Sequence, residues 1–327
     1  MQTLKYNYII AGGSAFYDVV YENLKRLPYV KYHNSFLSGI NSKINRFLIK
    51  LNFNLKVNKF FKTPLDFLVF NKLYPSSFKD DKPLCFVFFE CQFAVINTSY
   101  IYFLRKHYPS AKIVLYMQDV ISSLPYYNVK DYKKKFDLIL SYDKGDCRRY
   151  GFLYYPTPYS IIKVNQSIDD IDDIDIFFCG AGKNRYSEIM EAYRKCIKEG
   201  LKCIFFITGV PKDEQIAGEG LIYDQIISYK RNIAYVRKSK CILEIMQKNA
   251  DGYTLRLWEA IMYNKHLLTN NINIVNSDYY MVNYIHLLTE DIPIKKWINS
   301  NVVYNNSLKE NLSPKHLLEF IDNKITD

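Results

Sequence analysis

The chain has 327 residues, of which 49% are hydrophobic, 24% charged and 16% aromatic, with a formal net charge of +11. That length suits two domains of ordinary size, and the apolar content supplies packed cores, which excludes a disordered chain. The seven cysteines (Cys85, Cys91, Cys147, Cys179, Cys196, Cys203 and Cys241) are odd in number and scattered, with no CxxC and no Cys/His cluster at zinc spacing. This argues against a disulfide scaffold and a zinc module, and it reads as buried thiols in a reducing compartment.

The first residues, Met1 to Ile10, lack the apolar core and cleavage site of a signal peptide. No apolar run approaches the ~20 residues that span a bilayer. These features predict a cytoplasmic protein. Residues 8–11 read as a buried strand ending in Gly12, Gly13 and Ser14, with a helix from about Tyr17. A turn that simply needs glycine explains these residues as well as an acceptor-side loop does. His33 lies in Lys31-Tyr32-His33-Asn34, which reads as a solvated loop; an acceptor-side base is the alternative.

Between Glu22 and Asp66 there is no acid but there are nine bases: Lys25, Arg26, Lys31, Lys43, Arg46, Lys50, Lys56, Lys59 and Lys62. From Lys43 to Lys62 they interleave with apolar residues such as Ile44, Phe47, Leu51, Phe53 and Phe60. Such a stretch suits peripheral contact with an anionic membrane, here the inner face of the plasma membrane, or an acidic ligand. A core helix with solvated lysines fits equally well. No nucleic-acid-binding motif occurs, so no nucleic-acid partner is expected.

Further strands are predicted over 86–90, over 113–117 ending in Gln118 and Asp119, and over 138–142, with a helix over 98–107. Continuous apolar strands separated by helices indicate a parallel sheet covered on both faces. Asp119, at a strand end, suits either a helix cap or a group that orients or deprotonates an acceptor hydroxyl. The acidic run from Ser167 to Asp175 reads as a linker between a first domain at 1–165 and a second at 166–310. The remainder, 311–327, reads as an amphipathic helix that would pack back on the first domain.

In the second half, strands are predicted over 174–179, 203–208, 241–245 and 266–269, with helices over 187–198 and 223–237 and another after Asp251. The fold class expected is α/β, with two Rossmann-like domains facing across a cleft. Gly180-Ala181-Gly182-Lys183-Asn184-Arg185 joins a strand to a helix, where glycines let a backbone approach a phosphate and helix N–H groups receive it. Lys183 and Arg185 would neutralise diphosphate charge. The motif is neither a Walker A nor a full GxGxxG, and a tight turn with solvated bases accounts for it equally.

The segment Asp251-Gly252-Tyr253-Thr254-Leu255-Arg256-Leu257-Trp258-Glu259 is more specific. Arg256 in the first turn of a helix opposes the helix dipole, so an anion is expected beside it, and a diphosphate is the simplest. Arg256 and Glu259 share one face, while Leu255, Trp258 and Ile261 or Met262 form the buried stripe. Glu259 can accept the hydroxyls of a ribose and Asp251 those of a sugar. The alternative is a surface Arg–Glu pair worth a few tenths of a kcal/mol or so. No metal motif occurs, so metal-free chemistry without a cofactor is expected.

The run from Ile174 to Asn270 resembles the nucleotide-sugar-binding half of GT-B glycosyltransferases, especially bacterial enzymes of capsule, exopolysaccharide and lipopolysaccharide synthesis. The matching pieces are Phe177 to Arg185, Ser239 to Ile245, Gly252 to Ala260 and Lys265 to Asn271. The resemblance implies transfer of a sugar from a nucleoside diphosphate sugar to a saccharide or lipid-linked saccharide. It places an E-x7-E motif on Asp251 and Glu259, with Asp in place of the first Glu, and Asn264 stands where many relatives have Gly. It assigns the donor to Gly180, Gly182, Lys183, Arg185, Thr208, Gly252, Thr254, Arg256 and Glu259, and catalysis to Asp251 and Glu259; Asp119, from its place at a strand end, is the third catalytic candidate. Gly12, Gly13, Ser14 and His33 would face the acceptor. Retention of anomeric configuration is the lean. A GT-B-shaped sugar-nucleotide epimerase and a non-enzymatic binder of nucleic acid or another anionic polymer are the rival readings.

Overall fold

The structure, a computed structural model, describes residues 4–12, 15–54, 66–75, 77–123, 133–162, 168, 170–248 and 252–325. The chain divides into two compact units, one of residues 1–158 with 313–327 and one of residues 159–312.

The first unit holds a six-stranded sheet in the order β2-β1-β3-β4-β5-β6, all pairs parallel. Its strands are β1 (Asn7–Ala11), β2 (Val30–His33), β3 (Leu84–Phe89), β4 (Lys112–Met117), β5 (Leu138–Ser141) and β6 (Leu153–Tyr154). The helices are α1 (Ala15–Val20), α2 (Lys43–Asn52), α3 (Asp66–Val69), α4 (Glu90–His107) and α5 (Lys144–Tyr150). Every residue of β1 is buried, as expected of a strand with neighbours on both sides and cover on both faces. β2 was not expected: a four-residue strand, buried only at its two ends, in a basic, aromatic segment carries little periodic signal. It places His33 at a strand end, buried rather than solvated.

The second unit holds β7 (Ile174–Ala181), β8 (Cys203–Thr208), β9 (Leu221–Tyr223), β10 (Ser239–Glu244), β11 (His266–Thr269) and β12 (Ile285–Leu287). Their order is β12-β11-β10-β7-β8-β9, again all parallel. Counted from β7 as the first strand, this is the doubly wound order 3-2-1-4-5-6, with the reversal of direction between β7 and β10. The helices are α6 (Tyr186–Lys198), α7 (Tyr229–Lys238), α8 (Leu255–Tyr263), α9 (Ile294–Trp297) and α10 (Asn306–Asn311). Helix α7 begins six residues later than expected, because residues 221–223 pair with β8 as an outer strand.

One segment behaves differently from its sequence reading and another as expected. The described part of the acidic run is tied to the second unit instead of hanging free as a linker. Asp170 pairs with Arg231, Asp172 with Lys202, Asp173 with Lys238 and Asp175 with Lys240. Each acid meets a base on a neighbouring element, so the run wraps the amino edge of the sheet. The last helix, α11 (Pro314–Lys324), belongs to the first unit. Its buried Asp322 accepts from the Lys5 amide at 2.9 Å and the Tyr8 hydroxyl at 3.0 Å.

Helix α2 explains part of the basic stretch. Ser42 caps it by accepting from the Asn45 amide, Ile49 is buried, and Ile44 and Phe47 are 72% and 63% exposed. Residues 55–62 lie outside the described residues. No helix among the described residues is long and apolar enough to cross a membrane.

Candidate functional site

The doubly wound order directs attention to the carboxyl ends of β7 and β10, because a crevice opens where strand order reverses. The two strands pair through Ser239–Ile174, Cys241–Ile176 and Ile242–Phe177, and the pairing stops there, while β7 runs on beside β8 to Ala181. Two arginines span the opening. Arg185 follows β7 and donates from Nη1 to the carbonyl of Ile245, beyond β10. Arg256, on α8 beyond β10, donates from Nη2 back to the carbonyl of Cys179 on β7. Arg185 Nε also donates to the Ala181 carbonyl at 3.0 Å. A guanidinium has five N–H donors, so both keep donors for a further acceptor. Burial and then the nearby Arg256 cation pull Arg185 down to about 10.

Gly182 closes the β7 turn by donating its amide to the Thr208 carbonyl at 2.8 Å, and a Cβ there would sit 2.6 Å from a Val210 methyl. Close packing therefore demands this glycine whether or not a phosphate binds. A Cβ at Gly180 would press on Arg185 Nη2 at 3.0 Å. Thr208 ends β8 half-buried. Lys183 opens the 3-10 turn that precedes α6. Asp251, Gly13, Ser14 and the side chain of Lys183 lie outside the described residues.

Helix α8 is buried more completely than the sequence suggests. Leu257 through Met262 are all buried, Glu259 among them at 1% exposure. Glu259 is therefore no surface partner of Arg256. Its Oε1 accepts from the Tyr229 hydroxyl at 2.8 Å and the Asn232 amide at 3.0 Å, both on α7. Tyr229 meets the Tyr159 hydroxyl at 2.5 Å. Glu259 Oε2 has no hydrogen-bond partner among the described residues. Burial raises the Glu259 carboxyl, opposed chiefly by Arg256. Helix α8 ends at Asn264, whose φ of 53° is a left-handed conformation that asparagine tolerates better than most residues.

Glu244 is not among the expected site residues. It ends β10, is 2% exposed, and accepts from Thr254 Oγ1 at 2.5 Å and Thr269 Oγ1 at 2.6 Å. The available signal was an acid closing an otherwise apolar strand at the reversal of strand order. Burial lowers the pKa of Arg256, but Glu259, with Cys179, Tyr229 and Glu244, more than offsets this and raises it. The anions expected beside Arg256 are thus supplied by the protein itself, and a diphosphate is not needed to explain this cation.

Thr254 and Gly252 are also engaged. Thr254 caps α8 by accepting from the Arg256 amide at 3.2 Å while donating to Glu244, and the Gly252 carbonyl accepts from Asn271 at 3.1 Å. Thr254→Val keeps the shape and loses both bonds. It should cost about 1–3 kcal/mol, read as a lower urea midpoint at unchanged slope.

The first unit has its own reversal of strand order, between β1 and β3. There Gly12 faces an aromatic wall, and a Cβ would lie 2.3 Å from the Tyr32 hydroxyl. His33 is 6% exposed, and burial lowers the pKa of its imidazole. Its Nε2 has no hydrogen-bond partner among the described residues. Asp119 is exposed. Beside it lies a residue the sequence reading placed inside a strand: Glu90, 2% exposed, which accepts from the Gln118 amide at 2.7 Å. Burial pushes its carboxyl up to about 8. Among the described residues no three His, Cys, Asp or Glu side chains converge to hold a metal ion.

No protein-family model and no curated protein matches this chain. Solved structures with some similarity include an alpha-glucosyltransferase in complex with UDP-glucose and DNA containing an abasic site. It is 13% identical over 97% of this chain and 93% of that one, with a TM-score of 0.47. The glycosyltransferase SnogD from Streptomyces nogalater is 11% identical over 98% and 99%, with a TM-score of 0.42. A putative UDP-N-acetylglucosamine 2-epimerase from Listeria monocytogenes is 12% identical over 99% and 89%, with a TM-score of 0.46. Identities and scores this low leave the chemistry of this chain to rest on its own residues.

Proposed function

We propose that the chain is a glycosyltransferase that takes a nucleoside diphosphate sugar as donor and a saccharide, lipid-linked in the cell, as acceptor. The supporting observation is the pair Arg185 and Arg256 at the β7/β10 opening, two like charges close enough to disfavour each other. An anion lodged between them relieves that repulsion. In this reading Arg185, Arg256, Gly180, Gly182 and Lys183 hold the diphosphate. Glu259 holds a ribose hydroxyl through Oε2, since Oε1 is already committed to α7.

Stabilising the leaving diphosphate with fixed cations lowers the barrier to breaking the sugar–phosphate bond. Asp251 would orient the transferred sugar, and Asp119 or His33 the acceptor hydroxyl. No metal is assigned a role. The exposed Ile44 and Phe47 beside Lys43 and Lys50 on α2 suit a peripheral contact with an anionic membrane in surface-polysaccharide synthesis.

The test is a thermal-shift panel of UDP-, GDP- and dTDP-sugars. One of them should stabilise the protein by about 2.7 kcal/mol at ~100 times its Kd. No shift with any, alongside a salt-sensitive shift with nucleic acid, would favour a polyanion binder instead.

A further inference from the structure

A second concavity lies in the second unit, at the amino end of the edge strand β12, away from the β7/β10 opening. It is an open depression of about 700 Å³ lined by Asn283, Tyr284, His286, Lys296, Trp297 and Asn301, among others. Trp297 is held rigidly. Its indole N–H donates to the Asn283 carbonyl at 2.9 Å, and the rings of His266 and His286 stand edge-on to it at 4.5 and 4.7 Å. It is nevertheless only half-buried. His286 is paired with Glu290, so Lys296 is the one remaining full charge in the lining. The amide groups of Asn283 and Asn301 are exposed and make no side-chain hydrogen bonds to other described residues.

We propose that this concavity is a saccharide-binding site, separate from the donor site, that takes a pyranose unit of an oligosaccharide. A pyranose has one apolar C–H face and a rim of hydroxyl groups. The first suits a fixed indole, and the second suits amides, each of which both donates and accepts. The volume falls within the range of small-ligand pockets and exceeds what one sugar ring fills. A single exposed lysine on the rim does not make an anion site. Such a site would keep a growing chain on the protein between transfers, but the assignment does not depend on the transferase reading.

The chain has two tryptophans, and Trp258 is fully buried, so a change in tryptophan emission on adding sugar reports Trp297. The full chain, free of nucleotide, is titrated with maltopentaose, chitotetraose and a mixed-linkage β-glucan tetrasaccharide. At least one should give a saturable change at millimolar concentration. Asn283→Ala with Asn301→Ala should weaken it about tenfold while the thermal midpoint stays unchanged. No saturable response to any of the three, or an equal response in the double variant, overturns the proposal. A failed nucleotide panel with a positive saccharide titration would leave this site standing and remove only the donor site.

Discussion

Arg256→Met is expected to lose about 3–5 kcal/mol of stability together with measurable affinity for nucleoside diphosphates. The reason lies in what surrounds the guanidinium. Glu244 and Glu259 are both buried, both have carboxyls raised by burial, and Arg256 opposes that rise in each. Removing the cation strands two carboxylates away from water. The loss should shrink as pH falls, since a carboxyl with a raised pKa takes up a proton and ceases to need a partner. Arg256→Lys keeps the charge but not the planar fork that reaches the Cys179 carbonyl, so it should retain more stability than binding. Urea midpoints at pH 5 and pH 8, with nucleotide titrations of both variants, check this. A methionine variant as stable as the parent at pH 8 would show that Arg256 compensates neither carboxylate.

Glu90→Gln should raise stability at pH 8–9 by about 2–5 kcal/mol and leave it nearly unchanged below pH 4.5. The Glu90 carboxyl is pushed from 4.5 up to about 8 by burial. Below the lower value the group is protonated in folded and unfolded chains alike, and it carries no penalty. Between the two values folding binds a proton, so stability falls as pH rises, by ~1.4 kcal/mol per pH unit at most. Above about 8 the charge is buried and the full penalty applies. Glutamine has no such titration, and its carbonyl can still accept from the Gln118 amide. Thermal or urea unfolding from pH 4 to 9 should show the two curves separating upward through this window. Parallel curves would mean that water or a partner relieves Glu90 at high pH.

Much of the architecture was legible because buried parallel strands are written as unbroken apolar runs. Tyr8 to Ala11, Ile113 to Met117 and Cys203 to Thr208 each announce themselves in this way. The short outer strands β2, β6, β9 and β12 were not, since each has a neighbour on only one side and tolerates polar residues. Among site residues, the placement of Arg185 and Arg256 at helix starts was readable from two loop-to-helix junctions. The burial of Glu259 was not, because periodicity gives one apolar stripe and cannot show that α7 covers the other side. Glu244 was hidden by its position inside an apolar segment. The acidic run from Ser167 to Asp175 looked like a tether because charge pattern does not show which lysines lie across from it.

The reciprocal bonds of Arg185 and Arg256 have a kinetic consequence. Each arginine clasps a main-chain carbonyl across the opening, Ile245 just past β10 for Arg185 and Cys179 on β7 for Arg256. The two strand ends, which no longer pair through their backbones here, are thus tied by side chains instead. Local opening of this end of the sheet would require both clasps to let go, so hydrogen exchange at the ends of β7 and β10 should be slower than the missing ladder bonds alone would give.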